Sequence, residues 1–403
     1  ENFHKQLDFL KASIYDANEI LSQDVAMEYI TNNVVYTPIN MDKETGRRKK
    51  YEFAVEVMNN DLFPHCNSHN EKIYFLGYMA NKLIKAYFGI ILQDDRDSYE
   101  NKRIDLTGTL LNNLFRNYFN KLVKDMQKQI NREITTGSWR STYDYYSILN
   151  NTNIYKIIKS TTIENGIKRA LSTGDFGIKQ MSSNKVGVAQ VLSRLTYASS
   201  LSHSRRISTP IDKSGKLVPP RMLHNTSWGF LCPAETPEGQ SVGVVKNLSY
   251  MTHITIYSNT EPIYYYIKNK DFIDISCNDI KILKENVKLF INGAWIGVVT
   301  NAYEYYMYLK DLKYSGMINI YTSIIFDIKN MEIRICNDAG RLIRPLLKVK
   351  DKKILLTKEI MQDIKTKKTT WSDLITKNKY SHSIIEYIDP EEQNHSLIAM
   401  NID

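Results

Sequence analysis

Apolar residues in the first third of the chain recur at three- and four-residue spacing. Phe75, Leu76, Met79, Leu83, Ala86 and Tyr87 fall on one stripe between polar positions, which predicts an amphipathic helix. A longer stripe follows Asp105 through Leu111, Leu114, Phe115, Tyr118, Phe119, Leu122, Val123, Met126 and Ile130, predicting a second helix. Both stripes read as core. Beyond Thr135 the chain turns polar, with Gly137, Ser138 and a Tyr/Ser/Asn-rich stretch to Asn153, the composition of a loop between units. A short helix is expected from Thr161 to Ser172, then a loop at Gly174 and Gly177, then another apolar-periodic segment from Val186 to Leu195.

After Lys246 the pattern shifts to alternation. Met251 to Tyr257 reads as a strand, and Val287 to Ile291 meets Ala294 to Val299 across Asn292-Gly293, the strongest hairpin signal in the chain. A second strand pair, Tyr321 to Ile328 and Met331 to Cys336, is joined at Lys329-Asn330, with a helical stretch from Tyr303 to Leu312 between the hairpins. No internal repeat is visible. With 403 residues the chain exceeds one comfortable core, so an α+β multidomain protein of two to four domains is predicted.

Composition sharpens this modestly. At 42% hydrophobic and 24% charged residues the chain has enough apolar material for packed cores. Lys and Arg outnumber Asp and Glu by 53 to 44, a formal charge of +9 that permits a polyanionic partner without requiring one. The Lys-rich tract from Lys348 to Lys368 reads as a solvated surface. Cys66, Cys232, Cys277 and Cys336 form no CxxC pair, which argues against a disulfide framework or a cysteine-rich zinc site. The most apolar stretch, Ile73 to Ile91, is broken by Asn81, Lys82 and Lys85, so no membrane span is expected. The chain opens at Glu1 without Met and stops at Asp403 just after an apolar run, and is expected to be a piece of something longer.

The candidate chemistry lies between Asp175 and Ser249. Lys179, Lys185, Arg194, Arg205, Arg206, Lys213, Lys216, Arg221 and Lys246 are spread through segments rich in Ser, Thr, Gly, Pro, Asn and Gln. Such a surface suits phosphates: cations displace condensed counterions, while hydroxyls and backbone N–H groups fix register without reading bases. An Arg-Arg pair after His203 can grip two phosphate oxygens, although surface ion pairing produces the same dipeptide. Thr209 to Leu217 reads as a mobile basic loop tipped by Ser214-Gly215. It is not a nucleotide-binding P-loop, because no Gly precedes Gly215 by five positions and Leu217 replaces the needed hydroxyl. Cys232-Pro-Ala-Glu-Thr-Pro-Glu-Gly-Gln240 is a rigid turn presenting Glu235 and Glu238, and by spacing alone these carboxylates are structural.

The run VAQVLSRLTYASSLSHSRRISTPIDKSGKLVPPRMLHNTSWGFLCPAETPEGQSVGVVKNLS, from Val188 to Ser249, closely resembles the fork region of the second-largest subunit of cellular and viral RNA polymerases. QDDRD with NKRIDLTGTLL (Gln93 to Leu111) resembles the lobe of that subunit. INGAWIGV and DAGRLIRPL resemble its external regions, and IEYIDPEE with LIAM the segment before its hybrid-binding part. The resemblance implies a lobe part over 1–112, a protrusion part over 113–170, the fork over 171–250, external region 1 over 251–345 and part of external region 2 over 346–403.

By the same resemblance, the loop from Asp175 to Lys185, with Lys179 and Lys185, lies against the RNA–DNA hybrid. The loop from Ile211 to Val218, with Lys213 and Lys216, lies where downstream DNA separates, and Arg221 follows it. Gln190, Arg194, His203, Arg205, Arg206 and Ser208 match positions lining the RNA channel, where the bacterial counterpart also binds rifamycins; Thr209-Pro210 departs from the bacterial pattern. Glu238 matches an acidic position near the incoming nucleotide. The implied reaction is nucleotidyl transfer by two Mg2+ ions held mainly by the largest subunit, with template DNA, nascent RNA and ribonucleoside triphosphates as substrates and partners. No metal is assigned to this chain: Asp94, Asp95 and Asp97 fall in the lobe, and His65, Cys66 and His69 lack a fourth ligand at credible spacing. Frequent Ile, Asn, Lys and Tyr indicate an A/T-rich genome, and divergence outside the fork favours a large DNA virus, set in a virion or host-cytoplasm viral factory, over an A/T-rich eukaryote, whose enzyme would be nuclear. The competing reading is a free-standing nucleic-acid-binding or scaffold protein; further polymerase sequence on both sides of the chain would discriminate against it.

Overall fold

The computed structural model describes residues 2–36, 42–135, 150–177, 186–211, 213–215, 217–277 and 280–401. They form two compact units that the chain visits alternately: Glu1–Asp95 with Thr260–Leu312 and Ile324–Cys336, and Arg96–Asn259 with Lys313–Ser323 and Asn337–Asp403.

The first unit begins with four helices, α1 (Asn2–Asp16), α2 (Gln23–Asn33), α3 (Lys43–Asn60) and α4 (His69–Tyr87). Side-chain caps open three of them: Ser22 accepts from the Val25 N–H, Asp42 from Thr45 and Ser68 from Glu71. These contacts satisfy N–H groups that the first helical turn leaves without partners. The unit continues through α9 (Glu261–Lys268), α10 (Ile280–Glu285) and α11 (Ala302–Ser315), whose last turn belongs to the second unit. Its sheet runs β4 (Ile273–Asp274), β6 (Ala294–Val299), β5 (Val287–Ile291), β8 (Glu332–Cys336) and β7 (Ser323–Asp327) in spatial order. The predicted hairpin is β5–β6, with Asn292 and Gly293 at φ +48° and +85° in the turn. β8 then pairs in parallel with β5, a link the α11 crossover makes possible.

The α4 stripe is not the core that its spacing predicts. Leu76, Met79, Leu83 and Tyr87 are 57%, 46%, 71% and 68% exposed. The helix instead packs through Tyr74, Phe75 and Tyr78 on Phe290, Trp295, Val298, Ile275 and Leu283. The large aromatic surfaces win the sheet contact and rotate the aliphatic stripe outward.

The second unit opens with α5 (Thr107–Thr135), α6 (Asn151–Ile157) and α7 (Thr161–Thr173). α5 and α7 approach closely because Gly166 leaves room for the Tyr118 ring; a Cβ there would sit 2.3 Å from that ring. Leu114, Ala170 and Phe176 are buried between them, whereas Leu111, Phe115, Phe119 and Val123 stay 37% to 47% exposed, so only half of the predicted α5 stripe is core. There follow α8 (Tyr197–Ser204), β1 (Arg206–Ser208), β2 (Val245–Asn247) and β3 (His253–Ile254). After the first unit's insertion come β9 (Leu342–Leu347), β10 (Val349–Lys350), β11 (Lys353–Ile354), α12 (Lys358–Lys365), α13 (Trp371–Ile375), β12 (Ile385–Ile388) and α14 (Pro390–Asn394). β9 is the centre of an antiparallel sheet between β12 and β3.

Two expectations fail here for identifiable reasons. Val186 to Leu195 is irregular: the Val188 N–H goes to the Gly174 carbonyl and the Ser193 N–H to His203, so other segments take the bonds a helix would use. The strand expected from Met251 to Tyr257 shortens to His253–Ile254, after which the Thr255 N–H pairs with the Arg341 carbonyl.

Buried charges lock this unit. Arg341 reaches Asp389 at 3.2 Å, the Ser323 hydroxyl at 2.6 Å and the Tyr321 carbonyl at 2.9 Å. Lys313 lies between Glu386 at 3.3 Å and Glu392 at 3.6 Å, and donates to the Tyr387 carbonyl. Such pairs are costly to break singly, because the remaining charge would be buried alone. Two of the strings singled out in the sequence, DAGRLIRPL and IEYIDPEE, thus meet through Arg341 and Asp389.

Candidate nucleic-acid interface

The site is built on a small platform in the second unit. β1 and β2 pair antiparallel, with Arg206 opposite Asn247, Ile207 opposite Lys246 and Ser208 opposite Val245. Strand alternation then separates the side chains. Ile207 packs toward Tyr99, Phe230, Leu231 and Leu342, while Arg206 and Ser208 are exposed together.

Arg205, one residue earlier, has a different environment. Its Nη2 lies 2.6 Å from the Ser249 carbonyl, 3.2 Å from Tyr250 and 3.1 Å from Thr252, so the guanidinium ties α8 to the chain leaving β2. Arg221 likewise works on the frame. Its Nη1 donates to the Gln240 and Val242 carbonyls at 2.6 and 3.0 Å, and its Nη2 to Lys213 and Gly215 at 2.9 and 3.2 Å. One side chain therefore holds the 213–215 loop tip against the 240–242 turn. Gly243 completes the clamp: its φ is +69°, and a Cβ would fall 2.1 Å from the Arg221 carbonyl oxygen.

Before α8 the chain is extended and anchored by a hydrogen-bonded relay. His203 Nδ1 accepts from the Ser193 N–H at 3.0 Å, which leaves Nε2 to donate to Gln190 Oε1 at 3.1 Å; Gln190 in turn donates to the Gly187 carbonyl at 2.9 Å. A neutral imidazole with its proton on Nε2 is the form this arrangement requires. A reciprocal cap between Thr196 and Ser199 fixes the helix start, and Ser200 bonds the Ser193 carbonyl at 2.7 Å. The result is a shallow open depression of about 450 Å³ lined by Leu192, Arg194, Thr196, Tyr197, Ser200, Leu201 and Ser204. Arg194 is its cation.

The proline-rich turn is also braced. Glu235 accepts from the Ser202 hydroxyl, its carbonyl takes the Asn247 amide, and Thr236 Oγ1 bridges the Val245 carbonyl and the Gly243 N–H. Glu238 stands exposed just before the short turn Gly239–Ser241. Behind the turn, Lys246 donates to the Pro220 carbonyl at 3.0 Å, and burial, with the nearby charge of Lys102, holds its pKa below the ordinary lysine value. Tyr99, whose N–H bonds Thr226 Oγ1, has its phenol pushed up to about 12 by burial.

The structure thus brings Gln190 together with His203, sets Arg206 beside Ser208, and turns Arg205 and Arg221 onto backbone carbonyls. Lys213 is exposed at the loop tip. Lys179, Lys185 and Lys216 lie outside the described residues. Sequence reasoning did not find Ser193, Asn247 or Thr236, whose parts depend on partners up to 12 residues away.

Comparison with known proteins matches three consecutive sequence profiles: RNA polymerase Rpb2 domain 2 at residues 2–105, domain 3 at 190–254 and domain 4 at 289–350. The DNA-directed RNA polymerase II subunit RPB2 of Encephalitozoon cuniculi is 36% identical over 406 residues, covering 100% of this chain. The chain belongs to the second-largest-subunit family of RNA polymerases. Within that family, DNA-directed RNA polymerase II subunit 2 of Arabidopsis thaliana is 35% identical across 99% of the chain, and DNA-directed RNA polymerase subunit 2 of Acanthamoeba polyphaga mimivirus 32% across 94%. The chain spans about a third of the length of these relatives, 34%, 32% and 32% respectively. The free-standing binding or scaffold protein is not favoured, because similarity to polymerase subunits runs through the whole chain. The domain 3 match contains the whole α8–β1–β2 platform.

Proposed function

We propose that this chain acts in DNA-templated RNA synthesis as part of an assembled DNA-directed RNA polymerase, its fork platform lying against the RNA–DNA hybrid and the downstream DNA. The carrying observation is the division of labour among neighbouring cations: Arg205 and Arg221 stiffen the platform from within, leaving Arg194, Arg206, Ser208 and Lys213 at its surface. Preorganised guanidinium and hydroxyl groups suit a phosphate backbone, which demands charge and register but no base recognition. In this reading Gln190 and His203 shape the channel wall, Glu238 stands near the incoming ribonucleoside triphosphate, and Lys179, Lys185 and Lys216 belong to the flanking loops. The regions would be lobe over 1–112, protrusion over 113–170, fork over 171–250 and external regions over 251–345 and 346–403.

Among the described residues no three His, Cys, Asp or Glu side chains converge as a metal site, so they do not fit the ligand set of a catalytic magnesium ion. The ions would be held by the largest subunit, which with the smaller subunits completes the enzyme. The setting would be the nucleus for a cellular enzyme, or a viral factory or virion for a viral one.

The test is Arg206→Ala in the assembled polymerase. Stalled elongation complexes should dissociate faster, and the dependence of their lifetime on salt should weaken by about one phosphate contact, a change of about 0.9 in the log–log slope. Unchanged lifetime and slope would remove Arg206 from the interface.

A further inference from the structure

Positive charge also gathers outside the fork. Between Leu346 and His382 stand ten lysines against four carboxylates, an excess of six in a chain of formal charge +9. We infer that this surface of the second unit, built on the β10–β11 hairpin and the loop after α12, is a second track for a nucleic-acid strand, separate from the fork platform.

Three features distinguish it from ordinary solvated lysines. The first is backbone conformation. The hairpin turn places Asp351 and Lys352 at φ +50° and +62°, and the loop after α12 places Lys367 at +60°. Glycine or asparagine is the usual occupant of such positions, so lysine is held at both tips against a steric preference.

The second is that the fold gathers the lysine-bearing segments. Lys350 Nζ lies 3.2 Å from His382 Nε2, and Lys348 Nζ sits 3.3 Å from the Tyr314 ring centroid while donating to Ser383. Lys379 Nζ donates to the Lys368 carbonyl at 2.6 Å and to Thr369 at 2.7 Å. The segment 377–383 therefore touches both the hairpin and the α12 loop, making one continuous strip. Among the described residues Lys352, Lys353, Lys367 and Lys368 are exposed and make no ion pair, and nearby Asp373 is occupied by the Thr370 N–H and hydroxyl at 2.8 Å each. A strip of this kind concentrates positive potential where a polyanion would release its counterions.

The third is Trp371, 48% exposed, whose indole Nε1 donates to the Tyr387 hydroxyl at 3.1 Å. An anchored ring with a free face is a stacking platform for an unpaired base, which favours a single strand over an acidic peptide.

The experiment uses the assembled polymerase stalled on a scaffold with long upstream, downstream and transcript extensions. The variant K352Q/K353Q/K367Q/K368Q removes four exposed charges and no packing contact, so its melting temperature should match the parent. If two or more of these lysines touch phosphates of a single strand, the log–log salt slope of dissociation should fall by about 1.4 or more. The same fall should appear in an Arg206→Ala background, so the result stands whether or not the fork reading survives. A photoreactive residue at position 352 should crosslink to nucleic acid. An unchanged slope, or crosslinks confined to protein, would overturn the assignment.

Discussion

Arg205 and Arg206 show how little residue type says about role when side-chain direction is unknown. The dipeptide reads as a phosphate grip, yet the turn from α8 into β1 sends one guanidinium onto three carbonyls and the other to the surface. Charged hydrogen bonds to partly buried carbonyls contribute about 1.5–3 kcal/mol, whereas removing an exposed side chain changes stability by about 0.5 kcal/mol or less. Arg205→Ala should therefore lower the unfolding free energy of the second unit by about 2 kcal/mol, and Arg206→Ala should leave it nearly unchanged. Denaturant melts of the two variants check this, and equal losses would contradict the division of labour. His203 teaches the same lesson: its pairing with Gln190 spans 13 residues, and only the extended path of 190–196 makes the contact available.

At the scale of elements, locally determined features were legible and those set by distant partners were not. The β5–β6 hairpin could be read because Asn292-Gly293 carries its own turn geometry, and the α11 crossover because its apolar period is continuous. The parallel β5–β8 pairing and the docking of α4 could not, since both depend on residues brought from afar. That docking rests on Tyr78, whose hydroxyl donates to the buried Glu332 carboxylate at 2.7 Å, with Lys82 3.6 Å from the other oxygen. Burial first, and Glu332 second, raise the Tyr78 pKa well above its ordinary value, so the phenol is a donor at neutral pH. Tyr78→Phe keeps the ring contacts with Phe290 and Trp295 and removes the donor from a buried acceptor. The expected cost is about 1–3 kcal/mol. Adding Glu332→Gln to Tyr78→Phe should recover part of it, because the buried charge is gone; a strictly additive double-mutant cycle would show that the hydroxyl and carboxylate do not interact.

Across the whole molecule, the family was legible in one long run from Val188 to Ser249, while the aliphatic face of α4 and the outward half of the α5 stripe were misread as core. A helical stripe establishes only that something apolar should cover it, not that the same chain provides the cover. Leu111, Phe115, Phe119 and Val123 form such a face, with the Phe115 and Phe119 rings stacked at 6.1 Å. In a chain spanning about a third of its relatives' length, this face meets water when the chain is studied alone. Burying half of each of these side chains would gain about 1 kcal/mol apiece, enough to drive weak self-association against a repulsive charge of +9. The isolated chain should therefore show concentration-dependent sedimentation that strengthens as added sulfate screens the charge and promotes apolar burial. F115S/F119S should shift it toward the monomer with little loss of stability, because neither ring lies in the α5–α7 core. Sedimentation unchanged by the double substitution would place the sticky surface elsewhere, with the outward face of α4 next in line.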